Sequence, residues 1–197
     1  MTPVSAELSE KRSRVRSFLE AEGLDAVVIS GQGNFAWYTG GRSNRVVMCD
    51  EAGAAVLFVT GNEGQDHIIT SNIEEPRIRD EELPGLEGFV LEGFPWWEAE
   101  AVGRRVESLG EGRKIAADSP AWGSRMLPAS FQKLTYSLTD GEVERYRALG
   151  EDCAVGMEEA VKRIQPGMTE EEVSARMAAN FLKRGIIPQV LLVAADE

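Results

Sequence analysis

The sequence runs to 197 residues, 43% hydrophobic and 27% charged, an ordinary composition for a folded domain and long enough for one domain or a little more. Its net charge of −12 is spread along the chain, with 12 acids against 7 bases over residues 140–197 and 21 against 14 before them, so nucleic acid is excluded as a partner for want of clustered Lys and Arg. No apolar run approaches the ~20 residues that cross a bilayer, which excludes a membrane-spanning helix. Met1 to Lys11 also lacks the basic flank and apolar core of a secretory signal, so a cytoplasmic protein is expected. Cys49 and Cys153 lack metal-ligand spacing and read as two buried or half-buried thiols in a reducing compartment.

In chain order, Ser5 to Glu22 reads as an amphipathic helix with Leu8, Val15, Phe18 and Leu19 near one face and Gly23 at its end. The run Lys11 to Arg16 falls on that helix between acids and is expected to be a solvated face. Asp25 to Ser30 is a short apolar, β-branched run, the mark of a buried strand. A Gly/Asn loop, Gly31 to Asn34, leads into Phe35 to Gly41. Arg45 to Asp50 and Ala54 to Thr60, flanking Glu51 to Gly53, predict a hairpin. Residues 61–87 are polar and contain Gly and Pro, with no regular element assigned. Gly88 to Phe94 predicts a strand, and Pro95 opens a helix through Trp96 to about Leu109. A short strand at Lys114 to Asp118, a helix at Ser124 to Leu134 and a last strand at Thr135 to Leu138 follow.

Strands alternating with helices, one hairpin included, give an α/β domain with a mixed sheet across residues 1–138. The Thr139-Asp140-Gly141 corner separates it from a helical second part, residues 139–197. There Glu142 to Ile164 predicts a long helix and Pro166-Gly167 a break. Thr169 with Glu172 makes a capping box for a helix that Gly185 stops, and Pro188 to Ala194 predicts a strand. Two amphipathic helices and a lone strand cannot cover their own apolar surface. The tail is therefore expected to be the truncated opening of an α+β domain.

Asp140-Gly-Glu-Val-Glu-Arg-Tyr-Arg147 and Ile164-Gln-Pro-Gly-Met-Thr-Glu-Glu-Glu-Val173 resemble the entry into the pita-bread fold of creatinase, aminopeptidase P and prolidase, the Xaa-Pro peptidase family. Upstream, Leu24 to Ile29 followed by Asn34-Phe-Ala-Trp-Tyr-Thr-Gly40 is similar to that family's first strand and its "Asn-x-x-Tyr-x-Thr-Gly" turn. The resemblance implies a ribonuclease-H-like N-terminal domain that forms dimers, and a C-terminal domain whose two divalent metals, such as Mn or Co, activate water. Those metals are held in the family by Asp, His and Glu residues that fall beyond this sequence. The single histidine here, His67, lies in the N-terminal part, so no catalytic or metal-ligating residue and no cofactor is assigned to this chain. Val190 to Glu197 also departs from the small-residue, Ser-Gly-containing stretch usual at that place in the family peptidases.

The resemblance also implies an N-terminal domain that reaches over a partner's active site, and loops at strand ends favour ligands. That makes Asn34, Trp37, Tyr38 and Arg42 candidates for substrate binding, Arg42 holding a carboxylate and Trp37 stacking on a proline-like side chain. The competing reading puts Trp37 and Tyr38 in the core and leaves Arg42 solvated or paired with a surface acid. For the interface of a homodimer or higher homo-oligomer the candidates are Trp96 and Trp97, of which a helix would bury one and expose the other. Tyr146 and Phe181, on the apolar faces of the two tail helices, complete that set. Asp25, Glu51 and Asp118 suggest an alternative, a two-metal nuclease with carboxylates at strand ends, which the acidic charge opposes.

Overall fold

The computed structural model describes residues 3–61, 64–122 and 125–195. The chain divides into two compact units, Met1–Thr139 and Asp140–Glu197. Among the described residues no helix is long and apolar enough to cross a membrane.

The first unit is built on a five-stranded mixed sheet. Its strands are β1 (Ala26–Gly31), β2 (Ala52–Thr60), β3 (Asp66–Ser71), β4 (Phe89–Phe94) and β5 (Ile115–Ala117), in the spatial order β4-β3-β2-β1-β5. β1 runs antiparallel to β2 and parallel to β5; β2 is antiparallel to β3, and β3 parallel to β4. The carboxyl ends of β1, β3, β4 and β5 therefore share one edge of the sheet. Alternation along each strand sends Val27, Ile29, Leu57, Val59 and Ile68 to one face. There they meet Leu8, Val15, Phe18 and Leu19 of α1 (Pro3–Glu22) and Phe35 and Tyr38 of α2 (Gln32–Tyr38). Ala26, Val28, Val56, Phe58 and Ile69 face the other way, against Val106 of α4 (Ala101–Gly110). Both faces of β1 are thus covered, which is why its sequence is an unbroken apolar run. This is the α/β mixed-sheet class that the alternation of strands and helices predicts.

Several elements differ from expectation, each for a tertiary reason. Gln32 to Tyr38 is helix α2, not loop. Arg45 to Asp50 forms no hairpin with β2, because β1 and β3 already occupy both edges of β2. That stretch instead wraps around the Gln32 side chain, whose amide donates to the carbonyls of Val47, Asp50 and Ala52 at 2.8–3.2 Å while Arg45 Nε donates to its oxygen at 2.6 Å. Residues 61–87 contain β3, the short helix α3 (Glu75–Arg77) and a π-turn at Ile78–Glu82. Ile68 and Ile69 of β3 are fully buried. Trp96 and Trp97 lie in a turn ahead of α4, so both are exposed, with rings 6.1 Å apart and nearly perpendicular.

The predicted start of a helix at Ser124 lies outside the described residues; a four-residue helix, α5 (Ala129–Gln132), runs into a 3-10 turn at Lys133–Thr135. Thr135 to Leu138 is not a strand: Arg14 Nη1 donates to the carbonyls of Leu134 and Ser137 at 3.2 and 2.6 Å, taking the place of a strand neighbour. The basic run on α1 is not a solvated face either. Lys11 is fully buried and donates to Glu7 Oε1 at 2.6 Å, and Arg12 reaches the buried Asp66 at 3.0 Å. Cys49 is exposed and Cys153 half-buried, both as free thiols.

The second unit is a helical pair, α6 (Asp140–Val161) and α7 (Glu170–Leu182). The capping box is present in full: the Glu172 amide donates to Thr169 Oγ1 at 3.2 Å, and the Thr169 amide to Glu172 Oε2 at 3.0 Å. Gly185 takes φ +73°, the left-handed conformation that ends a helix most cheaply in glycine. Phe181 is buried, its ring lying so close over Gly156 that a Cβ there would stand 3.1 Å from it. It therefore packs α7 on α6 and is not available as an interface residue, whereas Tyr146 is exposed. Pro188 to Ala194 forms no strand, since no other described strand of this unit pairs with it.

Candidate functional site

The carboxyl edge of β1 and β5 is where the first unit concentrates polar side chains from distant segments. Parallel pairing sets Val28 beside Ala117, so the residues that follow, Ser30–Gly31 and Asp118, emerge together. Asp118 accepts four hydrogen bonds. Its Oδ1 takes the Ser30 amide (2.8 Å) and hydroxyl (3.0 Å), and its Oδ2 takes the Gly31 amide (2.9 Å) and Asn34 Nδ2 (3.0 Å). Gly31 is required by this approach, because a Cβ there would lie 2.9 Å from Asp118 Oδ2. Beside the carboxylate lies a shallow cleft of about 250 Å³, lined by Asn34, Leu127, Pro128, Phe131 and Gln132. Ligand pockets usually run to ~300–1,000 Å³. With both oxygens engaged from within, Asp118 braces the β1–α2 junction and is not poised as a general base.

A second polar cluster sits at the opposite edge, where β3 begins. Asp66 Oδ2 accepts from Tyr38 Oη at 2.8 Å and from Arg12 Nε at 3.0 Å, while Arg12 Nη2 also reaches the Glu87 and Gly88 carbonyls. Burial pushes the Asp66 carboxyl up from its ordinary range, against the opposing pull of Arg12 and Tyr38. Burial likewise raises the Tyr38 phenol well above its usual value, with the neighbouring Asp66 charge adding to it. On the α4 side, His67 Nδ1 lies 2.7 Å from Glu92 Oε1, and Arg105 grips Glu92 at 2.7 and 3.0 Å. Burial works to raise Glu92, but the hydrogen bonds from Arg105 and His67 outweigh it and hold the carboxyl below its ordinary range.

The structure does not bring the four substrate-binding candidates together. Asn34 points to Asp118. Trp37 and Tyr38 are buried in the core, and Arg42 Nη2 donates to the Pro84 carbonyl at 3.0 Å. Residues that a loop would gather are dispersed by helix α2, on which neighbours point ~100° apart. Trp37 therefore offers no face for stacking, its ring packing edge-on with Phe131 at 6.1 Å. The strand-end carboxylates do not converge either. Asp25 Oδ2 accepts the Lys114 amide at the start of β1, the far edge of the sheet from Asp118, so a shared two-metal centre is ruled out for that pair. The Asp118 brace and the Asp66–Arg12–Tyr38 cluster escape sequence reading because their partners lie 28 to 88 residues apart. Among the described residues no group of three or more His, Cys, Asp or Glu side chains is arranged to hold a metal ion.

Residues 11–153, well over half of the chain, match the family described as the Creatinase/Prolidase N-terminal domain. No curated protein sequence matches the chain. Among solved structures, the chain is similar to an Xaa-Pro dipeptidase from Bacillus anthracis, at 17% identity and TM-score 0.64, covering 90% of this chain and 49% of that one. It is similar to the prolidase from Pyrococcus horikoshii OT3 at 17% identity and TM-score 0.62, covering 89% and 49%. The X-Pro aminopeptidase from Thermotoga maritima MSB8 aligns at 18% identity and TM-score 0.61, covering 88% and 49%. The chain thus spans about half the length of these structures. Identities this low carry the fold alone, but the family match and the five-stranded mixed sheet agree: the chain belongs to the creatinase/prolidase N-terminal domain family.

Proposed function

We propose that the chain is the oligomerising, substrate-gating N-terminal domain of an Xaa-Pro dipeptidase or aminopeptidase P-like protein, with the opening of the peptidase domain attached. It acts in the cytoplasm and has no peptidase activity by itself. The observation that carries this reading is the family match over residues 11–153, which extends past the end of the first unit into α6. Inactivity is supported by the sole histidine, His67, being engaged by Glu92 on the face covered by α4. The two free thiols suit a reducing compartment. Incubating the purified chain with Mn²⁺ or Co²⁺ and Xaa-Pro dipeptides and tripeptides tests the reading; turnover above a protein-free blank defeats it.

A second reading, a non-enzymatic interaction module derived from a peptidase, is favoured by the apolar residues that α6 leaves in solvent, Tyr146, Leu149, Met157 and Val161. Light scattering separates the two: Tyr146→Glu with Leu149→Glu dissolves an assembly built on α6 and leaves intact one built on the first unit.

A further inference from the structure

At the carboxyl edge of the sheet the fold leaves a run of apolar side chains in solvent. β3 and β4 end there, and the antiparallel β2 begins there, so the segments at 45–51, 72–74 and 95–100 emerge from adjacent strands roughly 4.8 Å apart. Val46, Val47 and Met48 are 56, 51 and 58% exposed, Ile73 61%, and Trp96 and Trp97 62 and 65%. These are six of the nine exposed large apolar residues described in the first unit, so their gathering on one edge is not a random scatter. They are also held in place. Gln32 pins the first segment through three carbonyls, and the Trp96 amide donates to Asn72 Oδ1 at 3.1 Å, tying the tryptophan turn to the end of β3. Anchors fixed before contact lose little freedom on binding.

We propose that this edge is the contact between two copies of the chain, related by a two-fold axis; the proposal deepens the oligomerisation reading above and rests on it. The six side chains expose roughly 700 Å², taking a tryptophan as ~250 Å² when fully exposed and scaling the others by size. That exceeds the ~300–600 Å² of the largest patch on a typical monomer and approaches the ~800 Å² that each partner gives to a standard stable interface. Charge permits self-contact despite the acidic chain. Glu98 and Glu100 meet Arg104 at 3.4 and 3.5 Å, Glu74 meets Arg77 at 2.8 Å, and Asp50 and Glu51 share their segment with Arg45. A rim of mixed sign can complement its own copy under two-fold symmetry, where a rim of one sign would repel it. The tryptophan pair supplies the central anchors.

Sedimentation velocity on the full chain tests this, comparing wild type with Trp96→Ser/Trp97→Ser and, independently, Val47→Glu. All three positions are exposed, so each variant should keep the wild-type circular dichroism spectrum, while its thermal midpoint falls only by what the lost dimer contributed. A wild-type dimer whose Kd rises at least about thirty-fold in each variant supports the edge contact. A dimer unmoved by both variants overturns the edge and leaves the oligomerisation reading standing. A monomeric wild type at tens of micromolar overturns both.

Discussion

Asp118 should be worth more to the first unit than any other surface-reaching carboxylate. Replacing it by Ala removes the acceptor for the Ser30 amide, the Ser30 hydroxyl, the Gly31 amide and Asn34 Nδ2 together. Ser30 is buried, so its amide finds no water in exchange, while the half-buried Gly31 and Asn34 recover part of their bonding from solvent. Hydrogen bonds to a charged group contribute about 1.5–3 kcal/mol each and do not add, so a loss of about 3 kcal/mol is expected, a large part of the ~5–15 kcal/mol that holds a domain folded. Asp118→Asn keeps one acceptor but turns an NH₂ toward donors, and should cost about 2 kcal/mol. Urea titration followed by tryptophan fluorescence isolates the effect, because Trp37, Trp96, Trp97 and Trp122 all belong to the first unit. At an m-value of about 2 kcal/mol/M the midpoint of Asp118→Ala falls by about 1.5 M. A loss below about 1 kcal/mol, or Asn costing more than Ala, would refute the view that this carboxylate braces the β1–α2 junction.

Gly53→Ala should destabilise by about 2–3 kcal/mol in the same titration, since its Cβ would stand 2.0 Å from Cγ of the fully buried Asn44, which is itself tied to the Ala55 and Ser30 carbonyls. Gly103→Ala on α4, with nothing within 4 Å, is the control and should be neutral or stabilising by up to about 1 kcal/mol. Tyr38→Phe removes the phenol's bond to Asp66 and should cost about 1–2 kcal/mol near neutrality. Because the folded Tyr38 pKa is raised, its contribution is complete below the ordinary tyrosine value of about 10 and is lost as pH climbs through the folded value. Thermal midpoints measured on either side of pH 10 should therefore decline more in wild type than in Tyr38→Phe; equal declines would show that another group governs the alkaline limb.

Local pattern carried a good deal of this protein. The amphipathic spacing of Leu8, Val15, Phe18 and Leu19, the apolar run of β1 and the Thr169–Glu172 cap are each written within a few residues, and the structure has all three. So are the motifs at residues 24–40 and 140–147, which fall within the family match. The helix at Gln32–Tyr38 was hidden because glycine and asparagine at its start read as loop when their tertiary partner is out of view. That partner, Asp118, lies 84 residues from Asn34.

What only the tertiary structure decided is where chemically able side chains finish. Tyr38 and Trp37 went to the core, Lys11 and Arg12 to buried carboxylates, and the tryptophan pair to solvent, although composition alone suggests other places for several of them. The physical reason is that periodicity fixes which residues share a face, whereas strand order fixes which faces are covered. β2 lost its expected hairpin because β1 and β3 fill both its edges, and the displaced loop carries Val46 to Met48 out to the rim. Segments 28 to 88 residues apart meet only after the sheet has assembled, and no local signal records those meetings.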